Sequence, residues 1–106
     1  MIMMAEKGFY KKIHSAGASQ VLALCDSELL GKVFESGDFV LDLKKYRSFY
    51  DGEKAGEKTV IESLVGATNV NAVGERSVAL ACKALGVSKP GAKKIGGVPH
   101  LQVYKL

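Results

Sequence analysis

The stretch that decides the fold is Gln20-Val21-Leu22-Ala23-Leu24-Cys25-Asp26-Ser27. Side chains of a strand alternate between two faces. Here both sets are apolar, Val21, Ala23 and Cys25 on one face and Leu22 and Leu24 on the other. The pattern predicts a strand over 20–25 that is covered on both sides. Upstream, Gly8–Ser15 sets Phe9, Lys11 and Ile13 against Tyr10, Lys12 and His14, and reads as a first strand. Ala16-Gly17-Ala18-Ser19 between them is a turn, so the two strands form a hairpin.

Downstream, Asp26-Ser27 offers the short oxygen side chains that cap helix starts. Leu29, Leu30, Val33 and Phe34 then predict a helix over Ser27–Glu35, closed by Gly37. Phe39–Leu43 is a third strand, and Lys44–Gly56 an extended stretch leading to an exposed loop with an Asp51-Gly52 turn. A short helix over 57–65 turns Val60, Ile61, Leu64 and Val65 inward and ends at Gly66. Ala67–Val73 is a short strand or tight connection. The clearest helix opens at Gly74-Glu75-Arg76 and runs to Leu85, with Val78, Ala81, Cys82 and Leu85 in one stripe. Ser88–Gly91 reads as a turn, Ala92–Ile95 as a strand, Gly96–Pro99 as a kink and His100–Lys105 as a last strand. The expected fold is α+β: a single domain with a mixed, mostly antiparallel sheet and about three helices packed on one face. The order of the strands does not follow from this pattern.

The chain has 106 residues, which is the size of one domain. Residues 1–7 read as a frayed leader and 8–106 as the domain. Its composition, 47% apolar and 25% charged, excludes a disordered or low-complexity chain. Two cysteines, Cys25 and Cys82, with no Cys-x-x-Cys, exclude a disulfide scaffold, a zinc ribbon and a thioredoxin-like pair. The apolar start is too short for a signal peptide, and no window approaches a membrane span. A cytoplasmic protein without metal or cofactor is expected. The net charge of +4 is either a binding surface or only an aid to solubility.

Three phrases carry a family resemblance: Cys25–Lys32 (CDSELLGK), Asn71–Ala81 (NAVGERSVALA) and Gly96–Val103 (GGVPHLQV). In this order and spacing, over about residues 8–106, the chain resembles an archaeal family of conserved proteins, domain of unknown function number four hundred and twenty-four. The leader and the Lys44–Gly56 loop depart from the family pattern. The resemblance implies an archaeal cytoplasmic protein. It supplies no activity beyond a placing of such proteins near translation and ribosome-maturation factors.

Three clusters are candidates for chemistry. Asn69, Asn71, Gly74 and Arg76 surround a predicted helix start, where free amides and a partial positive charge suit an anion that arginine can grip. The alternative is that Asn71 caps and Arg76 pairs with a carboxylate. Lys93, Lys94, Gly96, Gly97 and His100 could form a backbone nest beside an imidazole, or simply a bulge that turns the last strand. Lys44, Lys45, Tyr46, Arg47 and Tyr50 join cations to aromatics as nucleic-acid sites do, or form a solvated edge with aromatics inward. No catalytic residue is assigned. Cys25 with a histidine as a nucleophile pair lacks any signal that brings a histidine to it.

The reading favoured is a non-enzymatic module related to translation that binds RNA or a ribonucleoprotein. The alternatives are a protein-interaction adaptor, and a small enzyme or anion binder built from Asn71, Arg76 and His100. No membrane partner is expected.

Overall fold

The 20–25 segment lies inside the sheet, as its two apolar faces require. In the computed structural model, residues 8–87 and 93–104 are described. Strand β1 (Phe9–Ala16) turns at Gly17 into antiparallel β2 (Ser19–Asp26). Between the later strands β3 (Val33–Ser36) and β4 (Phe39–Asp42) and the rest of the sheet come helix α1 (Arg47–Tyr50), β5 (Glu53–Ala55) and α2 (Glu57–Leu64). They are followed by β6 (Asn69–Val73), α3 (Glu75–Leu85), β7 (Lys93–Ile95) and β8 (Val98–Tyr104). Six strands form one sheet in the order β5-β1-β2-β6-β8-β7, while β3 and β4 form a separate hairpin. Only β2 and β6 run parallel, so the sheet is mixed and mostly antiparallel.

The alternation of β2 divides the interior into two cores. Leu22 and Leu24, with Phe9, Val70, Ala72 and Leu101, meet Val60 and Leu64 of α2 and the Val78–Ala81–Cys82 stripe of α3. Ala23 and Cys25, with Val73, Ile95 and Val98, face the other way. There they meet Leu41 of β4, Leu43 and Tyr50 of α1. Full burial of a leucine such as Leu24 or Leu64 contributes roughly 1.5–3 kcal/mol. Two thin cores built this way hold a six-stranded sheet between unlike covers: two helices on one side, a hairpin and one helical turn on the other.

Two segments differ from the sequence expectation. The helix expected over Ser27–Glu35 is only a 3-10 turn at Ser27–Leu29, followed by β3. Asp26 makes no cap bond to that turn because its carboxylate is committed to α3, and Gly31 adopts φ +88°, which ends any helix. Phe34 and Leu41 pair across the hairpin on its inner side. The Lys44–Gly56 stretch, expected to be extended and looped, contains α1 and β5. The Asp42 carboxylate accepts the amides of Lys44 and Lys45 at 3.1 and 2.8 Å and turns the chain there. Gly52 then passes so close to β1 that a Cβ would strike the Lys11 carbonyl.

Smaller differences follow from the same packing. On α2, Val60 and Leu64 are inward as expected, but Ile61 and Val65 are exposed. The last strand begins at Val98 rather than His100, because Gly96-Gly97, both with positive φ, make a two-residue hairpin turn between β7 and β8. The leader at 1–7, the turn at 88–91, Ala92 and residues 105–106 lie outside the described residues.

Candidate functional site

On the hairpin side, cross-strand register brings polar residues from distant parts of the chain into rows. One row is Lys12, Ala23, Asn71 and Gln102 across β1, β2, β6 and β8. The next holds Tyr10, Cys25, Val73, His100 and Lys93. At the other end Asn69 lies opposite Tyr104, and His14 opposite Val21. The α1 cover reaches Asn71 on β6 and His14 on β1. The Asn71 amide oxygen accepts the Tyr50 hydroxyl at 2.8 Å and the His100 Nε2–H at 2.8 Å. The His14 ring stacks on Phe49 at 4.4 Å, and its Nε2 lies 2.7 Å from the Phe49 carbonyl. These contacts pin α1 to the sheet.

Electrostatics define what this cluster can do. Burial lowers the His100 pKa, so the ring is neutral and keeps a lone pair on Nδ1 once Nε2–H donates to Asn71. Burial raises the Tyr50 phenol, with the neighbouring Cys25 adding to it, so Tyr50 remains a donor. Burial, then Asp26, then Glu28 push the Cys25 thiol up to about 12. That thiol stays protonated and donates to the Asp26 carbonyl at 3.3 Å. A nucleophile needs the thiolate, and this environment opposes it.

The start of α3 is already occupied by the chain itself. Asp26, 3% exposed, accepts Ser77 N–H at 2.7 Å, Ser77 Oγ–H at 2.7 Å and Arg76 N–H at 3.1 Å. Gly74, at φ +107°, is the residue that permits it, since a Cβ would collide with the Asp26 carboxyl. The Arg76 guanidinium pairs with Glu28 and Asp26, donates to the Gly8 carbonyl at 3.2 Å and lies 4.8 Å from the Phe9 ring centre. An internal carboxylate thus holds the place an external anion would take. Asn71 and His100 converge, but Arg76 is bound at the β1 end with different partners.

The remaining candidates separate in the same way. Gly96 N–H donates to Ser36 Oγ at 2.7 Å, which ties the β7–β8 turn to the β3–β4 hairpin. Gly97, next to it, is exposed. Lys94 faces Glu75 at 3.7 Å, while Lys93 sits 3.3 Å above the Phe39 ring. In the basic–aromatic stretch, Lys44, Lys45, Tyr46 and Arg47 are exposed and Tyr50 is buried. Lys45 lies 5.5 Å from the Tyr46 ring centre, and Arg47 pairs with Asp51 at 3.2 Å.

The net charge is unevenly divided between the two sides. The helix side and its strand face carry Lys11, Lys58, Arg76, Lys83 and Lys94 against Asp26, Glu28, Glu53, Glu57, Glu62 and Glu75. The hairpin side carries Lys12, Lys32, Lys44, Lys45, Arg47, Lys54 and Lys93 against Glu35, Asp38, Asp42 and Asp51. Partners differ as well. Lys11 and Lys94 meet carboxylates, whereas Lys12 donates to the Ser48 carbonyl at 2.8 Å and Lys45 and Lys93 rest on rings. Among the described residues, no ion pair includes Lys12, Lys45 or Lys93.

Sequence reasoning gave Asp26 the wrong helix to cap and passed over Tyr104. Asp26 reads locally as a cap for the residues after it, and no local signal links it to an amide fifty positions away, at Arg76. Tyr104 reads as a strand end, and only pairing with Asn69 gives it meaning. Among the described residues no group of His, Cys, Asp or Glu is placed to hold a metal ion, and no helix is long and apolar enough to cross a membrane.

Fold and face together define a small α+β domain whose hairpin side carries more cations than carboxylates. The chain belongs to the family described as "Protein of unknown function (DUF424)", whose model matches residues 13–106. It is similar to a solved structure, the crystal structure of an uncharacterized conserved protein from Methanopyrus kandleri. The two are 30% identical with a TM-score of 0.74, over 93% of this chain and 92% of the other. No curated protein matches the sequence.

Proposed function

We propose that this protein is a non-enzymatic module that binds RNA, free or within a ribonucleoprotein, on the hairpin side of the sheet. The observation that carries the reading is the charge division. Carboxylates outnumber cations on the helix side, whereas cations outnumber carboxylates on the hairpin side, where Lys12 rests on a carbonyl and Lys45 and Lys93 on rings. A polyanion gains most where cations are not already neutralised, through phosphate contacts and counterion release. Gln102, exposed opposite Asn71, adds a hydrogen-bonding group beside those cations. The buried, protonated Cys25 thiol favours binding over nucleophilic catalysis.

The test is fluorescence anisotropy with labelled ribosomal, transfer and single-stranded RNA at low salt. K44Q/K45Q/K93Q is expected to lose most of the affinity, and the charge-matched K11Q/K83Q/K94Q to keep it. No measurable binding of any of these RNAs at low salt overturns the reading. Affinity purification from the native host with and without nuclease separates it from an adaptor role: a specific partner retained after nuclease favours the adaptor.

A further inference from the structure

We infer that the RNA bound here is single-stranded and that one of its bases stacks on Tyr104, with Asn69 and Gln102 taking the base edge. This rests on the RNA-binding reading above and specifies the form of RNA. Leu101 and Val103 of β8 point into or against the helix-side core, so Tyr104, Gln102 and His100 share the hairpin side. The hairpin and α1 cover His100 and Asn71 but not the end of β8. Tyr104 is 67% exposed there, and among the described residues its ring stacks on no other ring.

An aromatic ring on a polar sheet surface is a platform for an unpaired base, because every base presents a π-face. The neighbours suit that use. Asn69 is the direct cross-strand partner of Tyr104, which sets their Cβ atoms about 4.5–5.5 Å apart. Gln102 lies two residues back on the same face, about 7 Å along the strand. Each amide supplies a donor and an acceptor, which is what the edge of an unpaired base requires. Lys93, exposed on the same face opposite His100, supplies a cation for the flanking backbone. A duplex keeps its bases stacked inside and would offer this surface only its backbone, leaving Tyr104 and the two amides unused.

The test compares a labelled single-stranded RNA with a hairpin of the same composition, at fixed salt, for the full chain and for Y104A and Y104F. The single strand is expected to bind more tightly. Y104A should weaken it about 5- to 150-fold, the range of one lost base stack, while Y104F keeps affinity because the ring remains. The salt dependence of Y104A should match the parent, since no phosphate contact is removed. Equal affinity for hairpin and single strand, or an unaffected Y104A, overturns the inference and leaves the cation-based reading standing. If the parent binds neither RNA, both fall.

Discussion

Asp26→Ala should be among the most damaging single substitutions on the surface of the sheet. The carboxylate is 3% exposed and takes three hydrogen bonds, two from Ser77 at 2.7 Å and one from the Arg76 amide at 3.1 Å. Alanine would remove the cap of α3 and leave the Ser77 amide and hydroxyl, on a residue with 0% exposure, without an acceptor. Loss of a cap costs about 0.5–2 kcal/mol, and each buried polar group left unpaired about 1–3 kcal/mol. Arg76 would also lose a buried counter-charge, although Glu28 still faces it. Arg76 is a third exposed and keeps Glu28, so the cap and the two Ser77 groups set the expected total, about 3–5 kcal/mol because these contributions overlap. For a domain of this size it corresponds to a fall in Tm of at least about 12 °C. Asp26→Asn keeps one acceptor oxygen and should cost about half as much. Urea denaturation, with unchanged m values, measures both. A D26A midpoint equivalent to less than about 1 kcal/mol of destabilisation would refute the claim that this carboxylate joins the β2 end to α3.

Other predictions follow from neighbouring contacts. Gly74→Ala should destabilise by more than about 3 kcal/mol, since strain at positive φ adds to a collision with Asp26 that the close-packed interior cannot relax; combining it with D26A should cost much less than the sum, as a double-mutant cycle in urea would show. Asn71→Ala leaves the buried Tyr50 hydroxyl and the His100 N–H without their acceptor and should cost about 1–3 kcal/mol, readable by thermal melting. Burial lowers the His100 pKa, so the folded state takes up this proton less readily than the unfolded chain. The resulting contribution is intact above about pH 6.5 and is lost as the pH falls through the lower folded value. The parent should therefore lose stability on acidification more steeply than H100Q, and Asn71→Asp should raise the His100 titration seen by NMR.

Much of the fold was legible where local pattern and tertiary demand agree. The unbroken apolar run of β2 implied two covered faces, and the α3 stripe and the Gly17, Gly66 and Gly86 stops lie where the chain turns. Ser27–Glu35 was misread because Leu29, Leu30, Val33 and Phe34 fit a helical face and a hairpin equally well. The choice is made by Gly31 and by the diversion of the Asp26 carboxylate to α3. The site shows the same division. Asn71 and His100 could be singled out by residue type, but their meeting depends on β6 and β8 being neighbours, which is a matter of strand order. Arg76 had the chemistry of an anion site, and two acids from the β2 end supply the anion. The meaning of the +4 depended on which lysines face which side, and period-2 alternation could settle that only once the register was known.

The most direct test of the binding surface is the slope of log affinity against log salt for a single-stranded RNA. Each phosphate neutralised contributes a slope of about −0.7, so removing three engaged cations in K44Q/K45Q/K93Q should make the slope shallower by about 2. K11Q/K83Q/K94Q should leave it unchanged. Equal slopes for the parent and K44Q/K45Q/K93Q, or the same loss in both triple variants, would mean that the positive excess serves solubility and that the hairpin side is not where RNA binds.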